Sequence, residues 1–293
     1  MSPLFRRGVS IPDFATVQPA RLALGLRRRL IERGVRVFEH SRVRRIGPPV
    51  DTASGSVRAG AVVLAVGPAA RAQRRLRSRL TVTSSHIVLT EPVPDVIDAL
   101  GWTGGECITD GRTLVHYFRT TRDGRILLGW GGGRLAYGAR VNGRVEVDAD
   151  AARSAHAALL RLFPAVKGRR ITHAWGGPID VSPSHIPQVD TMPGKPVHFA
   201  FGFTGNGVGP SNLAGRTLAS LATGREDELT RLPLVGAGAG AWVPPEPLTW
   251  LGGSLVRGAL VRRERFQEAG RTPDPITRAV CAAPRAIGMH LAR

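Results

Sequence analysis

The chain has 293 residues, 42% hydrophobic and 22% charged, which excludes a disordered polypeptide and provides for one large domain or two ordinary ones. Its 41 Lys plus Arg against 22 Asp plus Glu give a formal charge of +19, yet lysine occurs only at Lys167 and Lys195 and arginines run from Arg6 to Arg293. An even arginine bias without a nucleic-acid-binding motif argues against nucleic acid as the main partner.

No apolar stretch reaches the ~18 residues that span a bilayer, and MSPLFRRGVS lacks the apolar core of a secretion signal. Cys107 and Cys281 are too few for a disulfide framework or a structural zinc site, so a reducing, cytoplasmic setting is expected. The histidines show no ligand spacing for a metal.

Residues 16–33 predict an amphipathic helix: Leu22, Leu26 and Leu30 recur at i+4, Thr16 is the candidate cap and Gly34 the stop. VRVFEH (35–40) and SRVRRI (41–46) read as short strands, and AVVLAVGPAA (61–70) as a buried parallel strand covered on both faces. Helix formers follow from Ala69 to Arg79. From Thr81 to Asp180 the texture changes to strands in meander, TSSHIVLTEP, RTLVHYFRT, RILLGWGGG and RRITHAWGGPID, with a turn signal at Arg122-Asp123-Gly124. One helix, DADAARSAHAALLRLFP, interrupts them. This predicts an antiparallel α+β layer beside an α/β layer.

At 197–223 the α/β grammar returns as strand VHFAFGF, turn TGNGVG and a helix ending at Gly224. Gly202, Gly205, Gly207 and Gly209 allow close backbone approach, and the helix start offers unpaired N–H groups and partial positive charge to an anion or an electron-rich ring edge. A helix cap with spare glycines accounts for the same local pattern. Beyond a linker, LTWLGGSLVRGALVRRERFQEAG reads as a basic helix that packs its apolar side, carrying Leu255, Leu260 and Val261, on the protein. A membrane surface is the less favoured reading of that helix. His116 and His185 read first as satisfied interior or surface histidines and, less favoured, as polar residues of a cavity, and Cys107 reads as a small buried side chain.

GFTGNGVGPSNLAGRTLA resembles the flavin-contacting segment of the FAD-dependent D-amino-acid oxidase/glycine oxidase (DAO) family. Similar stretches occur in family order: ATVQPARLALGLRRRLIERGVRVFEHSRV, VRAGAVVLAVGPAA, TSSHIVLTEPVPD, RTLVHYFRTTRDGRILLGWGGG and HAWGGPIDVSPSHIPQVD. HAWGGPID and PPEPLTWLGGSLVRGALVRRERFQEAG look most like γ-glutamylputrescine-oxidase-type members.

The resemblance implies an incomplete Rossmann-like FAD-binding layer plus an antiparallel-sheet substrate domain. Residues 1–80 and 191–225 would form the former, 81–190 the latter, and 226–293 a linker and basic helical tail. It implies that Val43, Ala65, Val66 and Gly67 line the dinucleotide. Gly202, Gly205, Asn206, Gly207 and Val208 would meet the flavin edge, and Tyr117 and Trp175 the substrate. Core packing explains those two aromatics equally well.

The implied reaction is oxidation of the C–N bond of an amine or amino acid by hydride transfer to FAD. Where family members acting on amino acids place a carboxylate-clamping arginine, this chain reads Trp175-Gly176-Gly177-Pro178, which favours an amine. The family's initial G-x-G-x-x-G turn has no strict copy. Relaxed G-x-G-x-x-A matches at 131–136 and 236–241 lead into no helix pattern. The expectation is a fragment of a flavin oxidase, truncated, mis-started or completed by a second polypeptide, with a non-catalytic remnant or partner-binding subunit as the alternative.

Overall fold

In the computed structural model, which describes residues 4–237, 242–286 and 288–289, the first element is helix α1 (Pro19–Glu32). Gln18 caps it in place of Thr16, its side chain accepting the Arg21 N–H at 2.8 Å. The leucine stripe forms but buries nothing, and Leu26 is 57% exposed. The segment 35–40 is not a strand, and 41–46 contributes one bridge, Arg45 to Asp51. A strand exists only as part of a hydrogen-bonded ladder, and no described strand lies beside 35–40 to complete one.

A two-residue hairpin, β1 (Val50–Asp51) with β2 (Ser56–Val57), precedes β3 (Val62–Leu64). The expected ten-residue apolar strand is cut to three because Gly67 turns to φ +51° and Pro68 opens a 3-10 turn, Gly67–Ala72, where a longer helix was expected. Val63 is exposed, so β3 is not covered on both faces as expected.

Strand β4 (Thr81–Thr90), helix α2 (Pro94–Ala99), and strands β5 (Cys107–Thr109), β6 (His116–Thr120) and β7 (Ile126–Trp130) follow. Gly124, at φ +73°, permits the expected turn between β6 and β7. Helix α3 (Ala149–Leu162) is capped by Asp148, whose carboxylate accepts the N–H groups of Asp150 and Ala151. Strand β8 (Ile171–Val181) completes an antiparallel sheet of order β5-β6-β7-β4-β8.

One face of that sheet carries the main core. Val88, Phe118, Ile126 and Leu128 pack with Trp102, Phe163 and the buried side of α3. Phe163 stacks on Trp102 at 5.4 Å and meets Phe118 edge-on at 5.3 Å.

Strands β9 (Gln188–Thr191) and β10 (Val197–Phe201) build the second sheet, order β3-β10-β9. Here β10 runs parallel to β3 and antiparallel to β9. Helix α4 (Val208–Ala222) leaves the carboxyl end of β10. Helices α5 (Leu248–Glu268) and α6 (Pro275–Ala286) add Leu260 and Cys281 to the main core. The basic segment packs in part: Leu260 is buried and Val261 half-buried, while Leu255 is 64% exposed. No described helix is long and apolar enough to cross a membrane. The glycines at 131–133 enter a loop, not a helix, and 238–241 of the second glycine-rich match lie outside the described residues.

Candidate functional site

The parallel register of β3 and β10, with Val62 opposite Val197 and Leu64 opposite Phe199, brings both carboxyl ends to one edge. Ligands of α/β sheets settle outside such ends, because the following turns and helix starts point their N–H groups there. From β3 this edge receives Ala65, Val66 and Gly67, the first two exposed. From β10 it receives Gly202 to Val208. Gly202 and Gly205 adopt φ +80° and +85°, which only glycine reaches without strain.

Helix α4 starts with no side chain capping it, and Gly205, Asn206 and Val208 are exposed. Its first-turn N–H groups therefore face an open approach. Val43 lies apart from this cluster in sequence, exposed in the connection between α1 and β1.

Two further polar groups tie into this edge. The Asp180 carboxylate, at the end of β8, accepts the Gly202 N–H at 2.6 Å, and its backbone carbonyl accepts the Thr204 N–H at 2.9 Å. Burial pushes the Asp180 carboxyl above its ordinary range, with the Gly202 and Phe203 N–H groups pulling the other way. Gln188 pairs in register with Phe201, next to Gly202, and its Oε1 is buried without a partner. Neither residue stood out from the sequence. The one signal was an acid following the apolar Pro178-Ile179 near the end of its strand.

The face of the five-stranded sheet turned away from the main core carries the aromatic candidates. Thr109, Tyr117, Gly129, Ile87 and Trp175 fall in one cross-strand row spanning all five strands. Tyr117 lies over Gly129, where a Cβ would come within 2.0 Å of its ring, and its hydroxyl meets Ser85 Oγ at 2.8 Å. Burial pushes the Tyr117 phenol up, against the Ser85 hydrogen bond, so it stays protonated at neutral pH. Trp175 is 40% exposed. Ile179, further along β8 on the same face, has its Cδ1 3.9 Å from where a Gly205 Cβ would stand. The aromatic face and the glycine-rich turn therefore adjoin.

His116 is the satisfied interior histidine of the favoured reading: its strand parity is opposite to that of Tyr117, and it is buried with Nδ1 2.6 Å from Asp110. His185 sits in the β8–β9 loop at φ +60°. One sequence expectation changes. Cys107 is exposed on the edge strand, not buried. Beneath Gly176 lies His86, fully buried with neither ring nitrogen hydrogen-bonded, its pKa lowered by burial against the attraction of Asp148. A Cβ on Gly176 would stand 2.5 Å from His86 Nε2, so a glycine after Trp175 follows from packing.

Residues 1–221 match the model of the DAO family, described as FAD dependent oxidoreductase. The chain belongs to the DAO family. Gamma-glutamylputrescine oxidoreductase of Escherichia coli (strain K12) is 30% identical over 226 residues, 74% of this DAO-family chain and 51% of that protein. A probable oxidoreductase, OrdL, of Rhizobium meliloti (strain 1021) is 29% identical over 259 residues, 84% and 54% respectively. The chain thus spans about half the length of the curated relatives it matches.

Among solved structures, glycine oxidase from Geobacillus kaustophilus superposes with a TM-score of 0.57 at 22% identity, covering 73% of this chain and 56% of that one. L-proline dehydrogenase from P. horikoshii gives 0.57 at 19% identity, covering 72% and 57%. These likenesses establish the DAO-family fold. The uncapped α4 start, the glycine-rich turn before it and the orphaned Gln188 oxygen fit the family's FAD.

Proposed function

We propose that this DAO-family chain provides the flavin-edge and substrate faces of an FAD-dependent oxidoreductase acting on the C–N bond of an amine or amino acid. The carrying observation is the uncapped start of α4 at the carboxyl edge of a parallel strand pair, beside the face that holds Tyr117 and Trp175. FAD bound there supplies the hydride acceptor. The chain's own part is positioning. Val208 and Gly209 N–H groups and the α4 dipole attract the electron-rich flavin edge, and Ala65 to Gly67 border the dinucleotide. Tyr117, held protonated and fixed by Ser85, and Trp175 wall the substrate side.

A neutral amine suits the site better than an α-amino acid. Ile179, beside Gly205, is apolar, and the Trp175-Gly176-Gly177-Pro178 stretch offers no guanidinium to an α-carboxylate. The likeness to gamma-glutamylputrescine oxidoreductase supports an amine of that kind.

The outward leucines of α1 and the open edge of β3 support a second element of the proposal: a nucleotide-binding unit, from this or another polypeptide, seats there and holds the FAD pyrophosphate. The same exposure suits the alternative, a non-catalytic subunit that binds a partner chain. FAD titration monitored by flavin fluorescence separates them. The enzyme reading expects saturable, weak binding, because each charge-assisted contact to the pyrophosphate is worth about 1.5–3 kcal/mol. Gly205→Val should abolish it, since φ +85° strains a β-branched residue. Gly215→Ala, inside α4 with nothing within 4 Å of the added methyl, should not. No saturable change in the wild type overturns the reading.

A further inference from the structure

We propose that Arg119 recognises a carboxylate carried by an elongated amine substrate at the end remote from the C–N bond that reacts. This rests on the flavin-edge reading above and names the substrate class of that same site.

Arg119 follows Tyr117 by two residues on β6, and the ladder is regular on both sides, Cys107 opposite Arg119 on β5 and Leu127 opposite on β7. It therefore projects from the same sheet face as Tyr117 and Trp175, while Phe118 between them is fully buried in the main core. Its row continues through Leu89 to His173 and contains no carboxylate. Among the described residues Arg119 makes no hydrogen bond and no ion pair, and its one recorded electrostatic neighbour is Cys107.

That solitude contrasts with other arginines at the rim of this sheet. Arg125 is held by Asp123 and the Thr90 carbonyl, Arg170 by Glu91, and Arg112 by Asp110 and Glu268. Half-buried Arg119 with free donors, on a row that holds no acid, matches a planar carboxylate in both charge and fork geometry.

Position fixes the kind of carboxylate. The row of Arg119 lies about 7 Å beyond the Tyr117–Trp175 row and about 20 Å along β8 from Ile179, which touches the glycine-rich turn. An α-amino acid carries its carboxylate on the carbon that is oxidised and cannot reach both places. A long amine ending in a carboxylate can.

The test is isothermal titration calorimetry on the full chain with FAD present, using 12-aminododecanoate and n-dodecylamine, equal in carbon number and differing in the terminal carboxylate. Wild type should bind the amino acid about ten-fold more tightly. Arg119→Met should remove that preference, and Arg119→Lys should keep part of it, since a point charge remains without the fork. Circular dichroism checks each fold, with Arg119→Gln replacing Met if the latter does not fold. Absence of a preference in wild type, or an equal preference in Arg119→Met or Arg119→Gln, overturns the proposal. A failure of the flavin reading shows separately, in the FAD titration of the wild-type chain.

Discussion

The Asp180 carboxylate accepts the backbone N–H of Gly202 at 2.6 Å, and with the Thr204 N–H donated to the Asp180 carbonyl it ties the end of the antiparallel sheet to the turn that opens α4. The sheet face that carries Tyr117 and Trp175 and the glycine-rich turn are thereby held in fixed relation, although 22 residues separate the partners in sequence. A Cβ on Gly202 would stand 2.8 Å from Ser182 Cβ, so the contact also depends on glycine.

The contact has a pH signature. Burial raises the Asp180 carboxyl above its ordinary value of 3.8, so the folded state binds its proton more readily than the unfolded chain. Asp180 therefore contributes stability below that ordinary value and loses it as pH rises through the raised one. Asp180→Asn should remove this trend. Thermal melts across roughly pH 3–7 should show wild type losing ground to the variant as pH rises; a constant difference would refute the assignment.

Asp148 behaves in the opposite sense. Burial disfavours its charge, but the Arg134 guanidinium and the N–H groups of Ala151 and Asp150 win, holding the carboxyl at about 2. Its stabilisation is complete above the ordinary 3.8 and fades as pH falls toward about 2. At neutral pH, Asp148→Ala should cost about 0.5–2 kcal/mol for the helix cap alone, measured by urea unfolding.

Gly129 is the floor on which the Tyr117 ring rests, so Gly129→Ala should expel the ring from Ser85. The expected loss is about 1–3 kcal/mol from overpacking. Tyr117→Phe, which removes only the hydroxyl, should cost about 0.5–1.5 kcal/mol. Equal costs for the two variants would contradict the steric account.

Arg71 is 1% exposed and pairs with Glu246 at 2.8 Å, while Glu246 also accepts the N–H groups of Gly138 and Trp250. Glu246→Ala leaves a buried guanidinium without its counter-charge and should cost about 3–5 kcal/mol. Adding Arg71→Met should recover part of that loss. A double variant no more stable than Glu246→Ala would show that the pair is not coupled.

Leu26 on α1 tests the outward stripe. Because nothing covers it, Leu26→Glu should change stability by no more than about 0.5 kcal/mol while reducing self-association in sedimentation velocity. A large loss of stability would mean that the stripe is packed in the isolated chain.

Local patterns were readable wherever local forces decide. The leucine spacing of 19–32, the stop at Pro164, the Asp123-Gly124 turn and the glycine-rich lead into α4 all follow from periodicity and allowed backbone angles. The 35–40 strand was misread because its alternating valines favour extension without supplying a partner. Cys107 was misplaced because burial depends on which face a strand turns inward, which its neighbours set.

The sequence by itself determined the two kinds of layer, the glycine-rich turn that leads into the helix at Val208 and, through resemblance, the flavin family. Only the tertiary structure decided that Asp180 grips Gly202, that Tyr117 and Trp175 share one row and that Arg119 stands on their face without a counter-charge. Helix starts and turns are fixed by residues a few positions apart. Strand register and the pairing of buried charges are fixed by contacts across long stretches of chain, which no local pattern encodes.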